Sequence, residues 1–158
     1  MWHRQYLVRM IAVIQRVSRA AVSIDGNQFS NIKQGLVILL GVVTGDDKSD
    51  CKYLQSKIAK LRIFQDTNNK MNLNLHDVGG EVLVISQFTL CAETKKGQRP
   101  SFINAAKPYD ANKLYNLFID YMNSENITVK TGQFGARMDV FLVNDGPVTF
   151  ILDSKNKN

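Results

Sequence analysis

The chain has 158 residues, 44% hydrophobic and 22% charged, with a formal net charge of +6. This length and balance fit one globular domain with its own core rather than a disordered chain. No apolar run approaches the roughly 18 to 20 residues of a membrane-crossing helix, so a soluble, cytoplasmic protein is expected, and the modest positive charge suits RNA without identifying it.

Residues 1–9, MWHRQYLVR, precede a second methionine, Met10. They read as an N-terminal extension, native or left by expression, and lack the apolar stretch and cleavage site of a signal peptide. Residues 10–153 read as a single domain. Two strand-like runs follow, Met10 to Val17 and Ala20 to Ile24, with Asp25-Gly26 supplying a turn. A third run, Leu36 to Val43, is nearly all apolar and is expected at the centre of a sheet. The pattern then changes period: Cys51, Leu54, Ile58 and Leu61 share one helical face, behind an acidic start at Asp47 and Asp50.

Residues 65–80 are polar and rich in Asn and Gly, and read as a connecting loop. The strand EVLVISQFTL comes next, then a loop carrying Lys95, Lys96 and Arg99. Leu114, Leu117, Phe118, Tyr121 and Met122 mark a second amphipathic helix, capped by Asp110. ITVKTGQF, RMDVFLVN and VTFILD close the chain as three strands, and residues 154–158 read as a frayed tail. Strands in two groups, each followed by a helix, give an α+β domain with a curved, mainly antiparallel sheet. No Gly-rich loop joins a strand to a helix, which sets the nucleotide-binding folds aside.

The chemical inventory is sparse. Apart from His3, the only histidine is His76, in the polar segment, so a Ser-His-Asp or Cys-His site would rest on it alone. The acids are scattered over helix starts and turns, so no metal site is expected, and no cofactor. Cys51 falls on a helical stripe and reads as a buried thiol; Cys91 is either a core cysteine or a nucleophile without a histidine partner. Two segments stand out. Ser86, Gln87 and Thr89 place polar groups where an apolar strand meets a loop, either to satisfy nearby backbone or to act on a substrate. Gly146-Pro147 interrupts strand-like sequence, and by itself reads as a tight turn between strands.

In combination these segments are specific. MIAVIQRVSRAAV, YLQSKIAKLRIF, VLVISQFTL, KKGQRPSF and TGQFGARMDVFLVNDGPVTF, in this order from Met10 to Asp153, closely resemble the D-aminoacyl-tRNA deacylase family. The resemblance implies a roll-like β-barrel with two packed amphipathic helices, assembled as a homodimer with its active sites at the subunit interface. It implies a cis Gly146–Pro147 bond acting in trans, beside Ser86, Gln87, Phe88 and Thr89 of the other subunit. The carbonyl groups of Gly146 and Pro147 would then form a main-chain wall that an L side chain strikes and a D side chain avoids. Glycine has nothing to exclude, so glycyl-tRNA is expected to be cleaved as well.

An aminoacyl ester is already activated and its ribose carries a neighbouring 2′-hydroxyl, so RNA-assisted hydrolysis needs positioning and oxyanion donors more than a strong base. The amides of Phe88 and Thr89 are the expected donors, and a covalent threonine intermediate lacks an activating base. The resemblance also assigns Phe134, Gly135 and Met138 to the terminal-adenosine pocket, with Phe134 either a stacking surface or simple core. Lys95, Lys96 and Arg99 either meet acceptor-stem phosphates or form a solvated basic loop. A non-catalytic basic tRNA-binding domain and an unselective esterase are the two readings from other classes.

Overall fold

The structure, a computed structural model, describes residues 9–155. The extension expected over residues 1–9 therefore lies, apart from Arg9, outside the described residues, and Met10 is fully buried.

The two runs expected at Met10–Val17 and Ala20–Ile24 are one strand, β1 (Ile11–Ile24). Its polar pair Ser18 and Arg19 is exposed mid-strand rather than in a loop. Asp25 and Gly26 turn the chain with φ of 51° and 78°, the paired positive values of a two-residue hairpin loop. The returning arm is β2 (Asn27–Ile32) followed by β3 (Gly35–Gly41). Both pair antiparallel with β1, and one alignment links Ala20↔Ile32 to Val17↔Gly35, so the arm runs on across Lys33 and Gln34.

Helix α1 (Lys48–Lys60) follows, its first turn closed by a reciprocal capping box between Asp47 and Asp50, a device that contributes about 1 kcal/mol. It buries Cys51, Leu54, Gln55, Ile58 and Ala59. The polar segment expected as a plain loop holds more order: a hairpin of β4 (Phe64–Gln65) and β5 (Met71–Leu73), then a one-turn helix α2 (Leu75–Val78). Asp66 Oδ1 accepts from the amides of Asn68 and Lys70 at the hairpin turn. Asn74 and Asp77 exchange cap bonds at α2, so the polar residues build the local structure.

β6 (Glu81–Ser86) lies parallel to β3, and β7 (Thr128–Thr131) parallel to β6. These two pairs depart from the antiparallel pattern because a helix carries the chain back to the same end before each. The second of those helices, α3 (Pro108–Ser124), starts after Lys107 with no side-chain cap. Asp110 is not the cap, as expected from sequence, but sits in the first turn, because the helix starts at Pro108, with its cap position three residues earlier at Lys107. The inward face of α3 is Ala111, Tyr115, Phe118 and Met122. Leu114, Leu117 and Tyr121 flank it, since Tyr115 turns inward to donate its hydroxyl to Val84 O at 2.8 Å.

The last two expected strands are one, β8 (Asp139–Asp153), which pairs with the other edge of β1 from Ile11↔Asp153 to Ser23↔Asp139. The sheet order is β2-β1-β3-β6-β7, with β8 on β1. Ser30 Oγ donates to Thr131 O at 2.7 Å, drawing β2 onto β7 and curling the sheet into a nearly closed barrel. Val17, Val22, Val37, Leu83 and Ile85 form one core; Ile14, Leu36, Leu54, Ile58 and Phe118, beneath α1 and α3, belong to a larger one. Each fully buried Leu, Ile or Phe contributes about 1.5–3 kcal/mol relative to exposure. Ser154 is not frayed: it is fully buried, and its hydroxyl donates to Asp50 Oδ1 at 2.7 Å while its amide bonds Met10 O.

Candidate active site

β6 stops at Ser86, the last residue paired with β3. The rest of SQFTL is not a strand end: Gln87 N donates to Leu40 O at 2.8 Å, and Phe88–Cys91 wind into a short 3-10 turn. The opening amides of such a turn find no carbonyl within it, which leaves the N–H groups of Phe88 and Thr89 at its start. Gln87 Nε2 donates to Thr89 Oγ1 at 2.5 Å, and the Phe88 and Thr89 side chains are exposed.

The connection from β7 to β8 is tied to β6, the strand that leads into this turn. Gly132 N donates to Val84 O at 3.4 Å, and Gln133 N approaches Met138 Sδ at 3.4 Å. Phe134 is half-buried, its ring 5.9 Å from that of Tyr115. Burial pushes the Tyr115 phenol up to about 12, so it remains a protonated donor to Val84. Phe134, Gly135 and Met138 are thereby carried by a connection anchored on Val84, two residues before Ser86.

Gly146 and Pro147 do not form a turn between two strands. They lie inside β8, at a bulge: between the pairs Gln15↔Thr149 and Val17↔Asn144, β1 places only Arg16 while β8 places Asp145, Gly146, Pro147 and Val148. A bulge is where a strand tolerates proline. The Gly146–Pro147 bond is cis, and Gly146 has φ +144° with Val148 Cγ2 2.6 Å from where a Cβ would stand; only glycine fits.

Two residues that sequence reasoning missed hold this bulge. Asn144 Oδ1 accepts from Val148 N at 2.7 Å while its Nδ2 donates to Thr149 Oγ1 at 3.0 Å. Arg16, 4% exposed, donates from Nε to Asp145 O at 3.0 Å and from Nη1 to Ile63 O at 2.8 Å. The Asp145 carboxylate lies 3.6 Å from Arg16 Nε. The signal for Arg16 was an arginine at an inward position of an apolar strand, where only a bonded guanidinium is tolerated.

The register keeps the bulge and the SQFT turn apart within one chain. Ser86 aligns through Leu40 with Ala12, whereas Arg16 aligns through Leu36 with Val82. That four-residue offset is about 13 Å along the strands.

A family model described as D-Tyr-tRNA(Tyr) deacylase matches residues 13–153. The chain belongs to this deacylase family. A D-aminoacyl-tRNA deacylase of Dehalococcoides mccartyi is 55% identical over 148 residues, covering 94% of this chain and 97% of the relative. One from Persephonella marina is 58% identical over 146 residues, covering 92% and 99%. A solved structure described as a c-Myc DNA unwinding element binding protein superposes with TM-score 0.85 at 37% identity, covering 90% of this chain and 97% of that one. Another, a probable eukaryotic D-amino acid tRNA deacylase, shares the fold at TM-score 0.80 and 13% identity, covering 92% and 100%.

Among the described residues of this deacylase-family chain, the remaining thiols and the histidine are buried or lie apart from the turn. Cys91 is buried, its thiol near Val42 O at 3.4 Å, and burial followed by the charge of Asp46 pushes it up to about 11. Cys51 is pushed to about 12, chiefly by burial. Neither is a ready thiolate. His76 is exposed on α2. Lys95, Lys96 and Arg99 are exposed on an arm whose base is the antiparallel pair Glu93 and Ser101, bonded at 2.8 and 2.9 Å. A cleft of about 630 Å³ opens elsewhere, on the flank of α3 formed by Leu114, Leu117 and Asp120 and closed by Val43 and Asp46. It includes none of the candidate site residues. Among the described residues no helix is long and apolar enough to cross a membrane.

Proposed function

We propose that this chain hydrolyses the ester of D-aminoacyl-tRNA to free D-amino acid and tRNA, as a cytoplasmic homodimer that sorts its substrates by chirality. The observation that carries this reading is the pair of elements the register holds apart: an amide-lined turn at Phe88–Thr89 and a braced Gly146–Pro147 bulge. A second copy is what would bring them together, each subunit's bulge facing the other's turn. The outer strand supports this arrangement, because Phe141, Val143, Phe150 and Ile151 of β8 are exposed apolar residues, a concentration that marks an association surface.

In this arrangement the α-amino group and ester of the substrate are fixed, and main chain at Gly146 and Pro147 occupies the direction an L side chain would need. A D side chain points away, and the hydrogen of a glycyl group fits either way, so glycyl-tRNA is a second substrate. Water attacks the ester carbonyl, the oxyanion is received by the amides of Phe88 and Thr89, and the ribose 3′-oxygen leaves with a proton relayed by the 2′-hydroxyl. Thr89, held by Gln87, orients water or substrate. Phe134, Gly135 and Met138 receive the terminal adenosine, and no bound cofactor takes part.

The experiment is side-by-side hydrolysis of D-Tyr-tRNA and L-Tyr-tRNA by the purified protein. Loss of the D ester with the L ester intact is expected. Equal loss would leave an unselective esterase, and loss of neither, with tRNA still bound, would leave a non-catalytic tRNA-binding domain.

A further inference from the structure

Next to the SQFT turn stands an aromatic pair that the hydrolysis does not use. The rings of Phe88 and Phe102 meet edge-to-face, centroids 5.0 Å apart at 69°, yet they are 56% and 38% exposed, and the adjoining Ile103 is 83% exposed. Their position is built rather than loose. Thr44 N donates to Asn104 O at 2.9 Å, Ala106 N to Val42 O at 3.0 Å and Ala105 N to Phe102 O at 3.0 Å, tying the Phe102 segment to the end of β3. Within the single subunit such a pair forgoes part of the burial that stabilises the core. The arm that precedes Phe102 in the chain carries Lys95, Lys96 and Arg99, and Lys107 follows it. Open aromatic faces on a segment flanked in sequence by exposed cations match single-stranded RNA, whose bases stack while its phosphates are neutralised.

We propose that Phe88 and Phe102 form the stacking platform for the unpaired base that precedes the terminal adenosine of the substrate tRNA, with Lys96 and Arg99 meeting the adjoining phosphates. The platform rests on the deacylase reading for the identity of its ligand, and it adds a second nucleotide subsite to the adenosine pocket at Phe134. Phe88 joins the two functions: its amide faces the reacting ester and its ring faces the strand that delivers it.

The test uses Phe102, which lies outside the proposed catalytic turn. Equilibrium binding of a short unacylated RNA with the single-stranded tRNA 3′ end is compared with binding of adenosine monophosphate. Phe102→Ala and Phe102→Leu should each weaken the oligonucleotide roughly 5- to 100-fold, the range of one lost base–aromatic stack, and leave adenosine monophosphate unchanged. Phe102→Trp should retain or improve oligonucleotide binding. Full affinity in Phe102→Leu, which keeps the apolar packing but lacks a π-face, would overturn the platform, as would equal weakening of both ligands. Because this binding needs no hydrolysis, failure of the platform and failure of the deacylase reading give different results: wild-type protein that binds the RNA tightly but spares D-Tyr-tRNA condemns only the latter.

Discussion

Arg16 and Asp145 are joined by a 3.0 Å hydrogen bond from Nε to the main-chain carbonyl, so a side chain buried in the first strand sets the residue that precedes Gly146. Replacing Arg16 by Met should leave Ile63 O and Asp145 O without their donor and cost about 1–3 kcal/mol of stability for the buried acceptor alone. Arg16→Lys keeps the charge but offers a point rather than a fork, and should fall between. Urea unfolding measures the loss. Under the proposed selection by exclusion, the ratio of D- to L-Tyr-tRNA hydrolysis should fall in the same order, and an unchanged ratio in Arg16→Met would remove Arg16 from selectivity.

Asn144 uses both ends of its amide on the bulge. Asn144→Asp keeps an acceptor for Val148 N and loses the donor to Thr149; Asn144→Leu loses both. A drop of about 1–2 kcal/mol is expected for Leu and a smaller one for Asp, read from denaturant midpoints at unchanged slope. If Asp were the more damaging of the two, the Val148 bond would not be the one that matters.

The Thr89 hydroxyl already accepts from Gln87, and among the described residues no histidine or ready thiolate stands beside it to take its proton. Thr89→Ala should therefore keep most single-turnover hydrolysis of D-Tyr-tRNA. A loss of about 100-fold or more would instead show that the hydroxyl moves a proton or forms a bond in the reaction.

Cys91→Ala should likewise retain activity, because a thiol pushed up to about 11 by burial carries almost no thiolate at neutral pH. Thiol labelling of the native protein should be slow at pH 8 and become fast in denaturant. Rapid native labelling coupled to inactivation would contradict the buried position.

Asp46 supplies a pH dependence. Partial burial pushes its carboxyl up from 3.8 to about 6, against the lowering effect of bonds from Val43 N and Met10 N, while Asp50 and Asp47 raise it further. The folded chain thus holds a proton that the unfolded chain has released. The resulting stability is fully present below about pH 4 and is lost as the pH rises through about 6. Thermal melts across that window should show wild type falling relative to Asp46→Asn, which cannot titrate there. Parallel curves would assign the slope to other groups.

Much of this molecule could be read before its structure. The apolar run that became β3 and the stripe of Cys51, Leu54 and Ile58 follow directly from periodicity, because burial on one face repeats in sequence. What periodicity could not carry is register. Ser18 and Arg19 looked like a break because they interrupt the apolar pattern, yet β1 passes through them, and its alignment with β8 slips on either side of Val17. The first of these slips, between Gln15 and Val17, creates the bulge at Gly146, so a proline read as a turn is an excursion from a continuing strand. Of the site, the residues at the SQFT turn and the Gly-Pro pair were legible as motifs. Asn144 was not, and Arg16 showed only as an arginine at an inward position of an apolar strand, since most of their partners, Asp145 O, Ile63 O and Val148 N, are main-chain groups that carry no residue signature.

β1 receives β2 and β3 along one edge and β8 along the other, so the first strand of the domain finds its longest partner in the last. During synthesis the hairpin arm can fold as soon as it emerges, but the opposite edge of β1 stays open until β8 has been made. That open edge is a template for pairing with another chain. It is capped by the same strand that carries Gly146 and Pro147, so the nascent chain acquires its protection from aggregation and its Gly146–Pro147 bulge in one event.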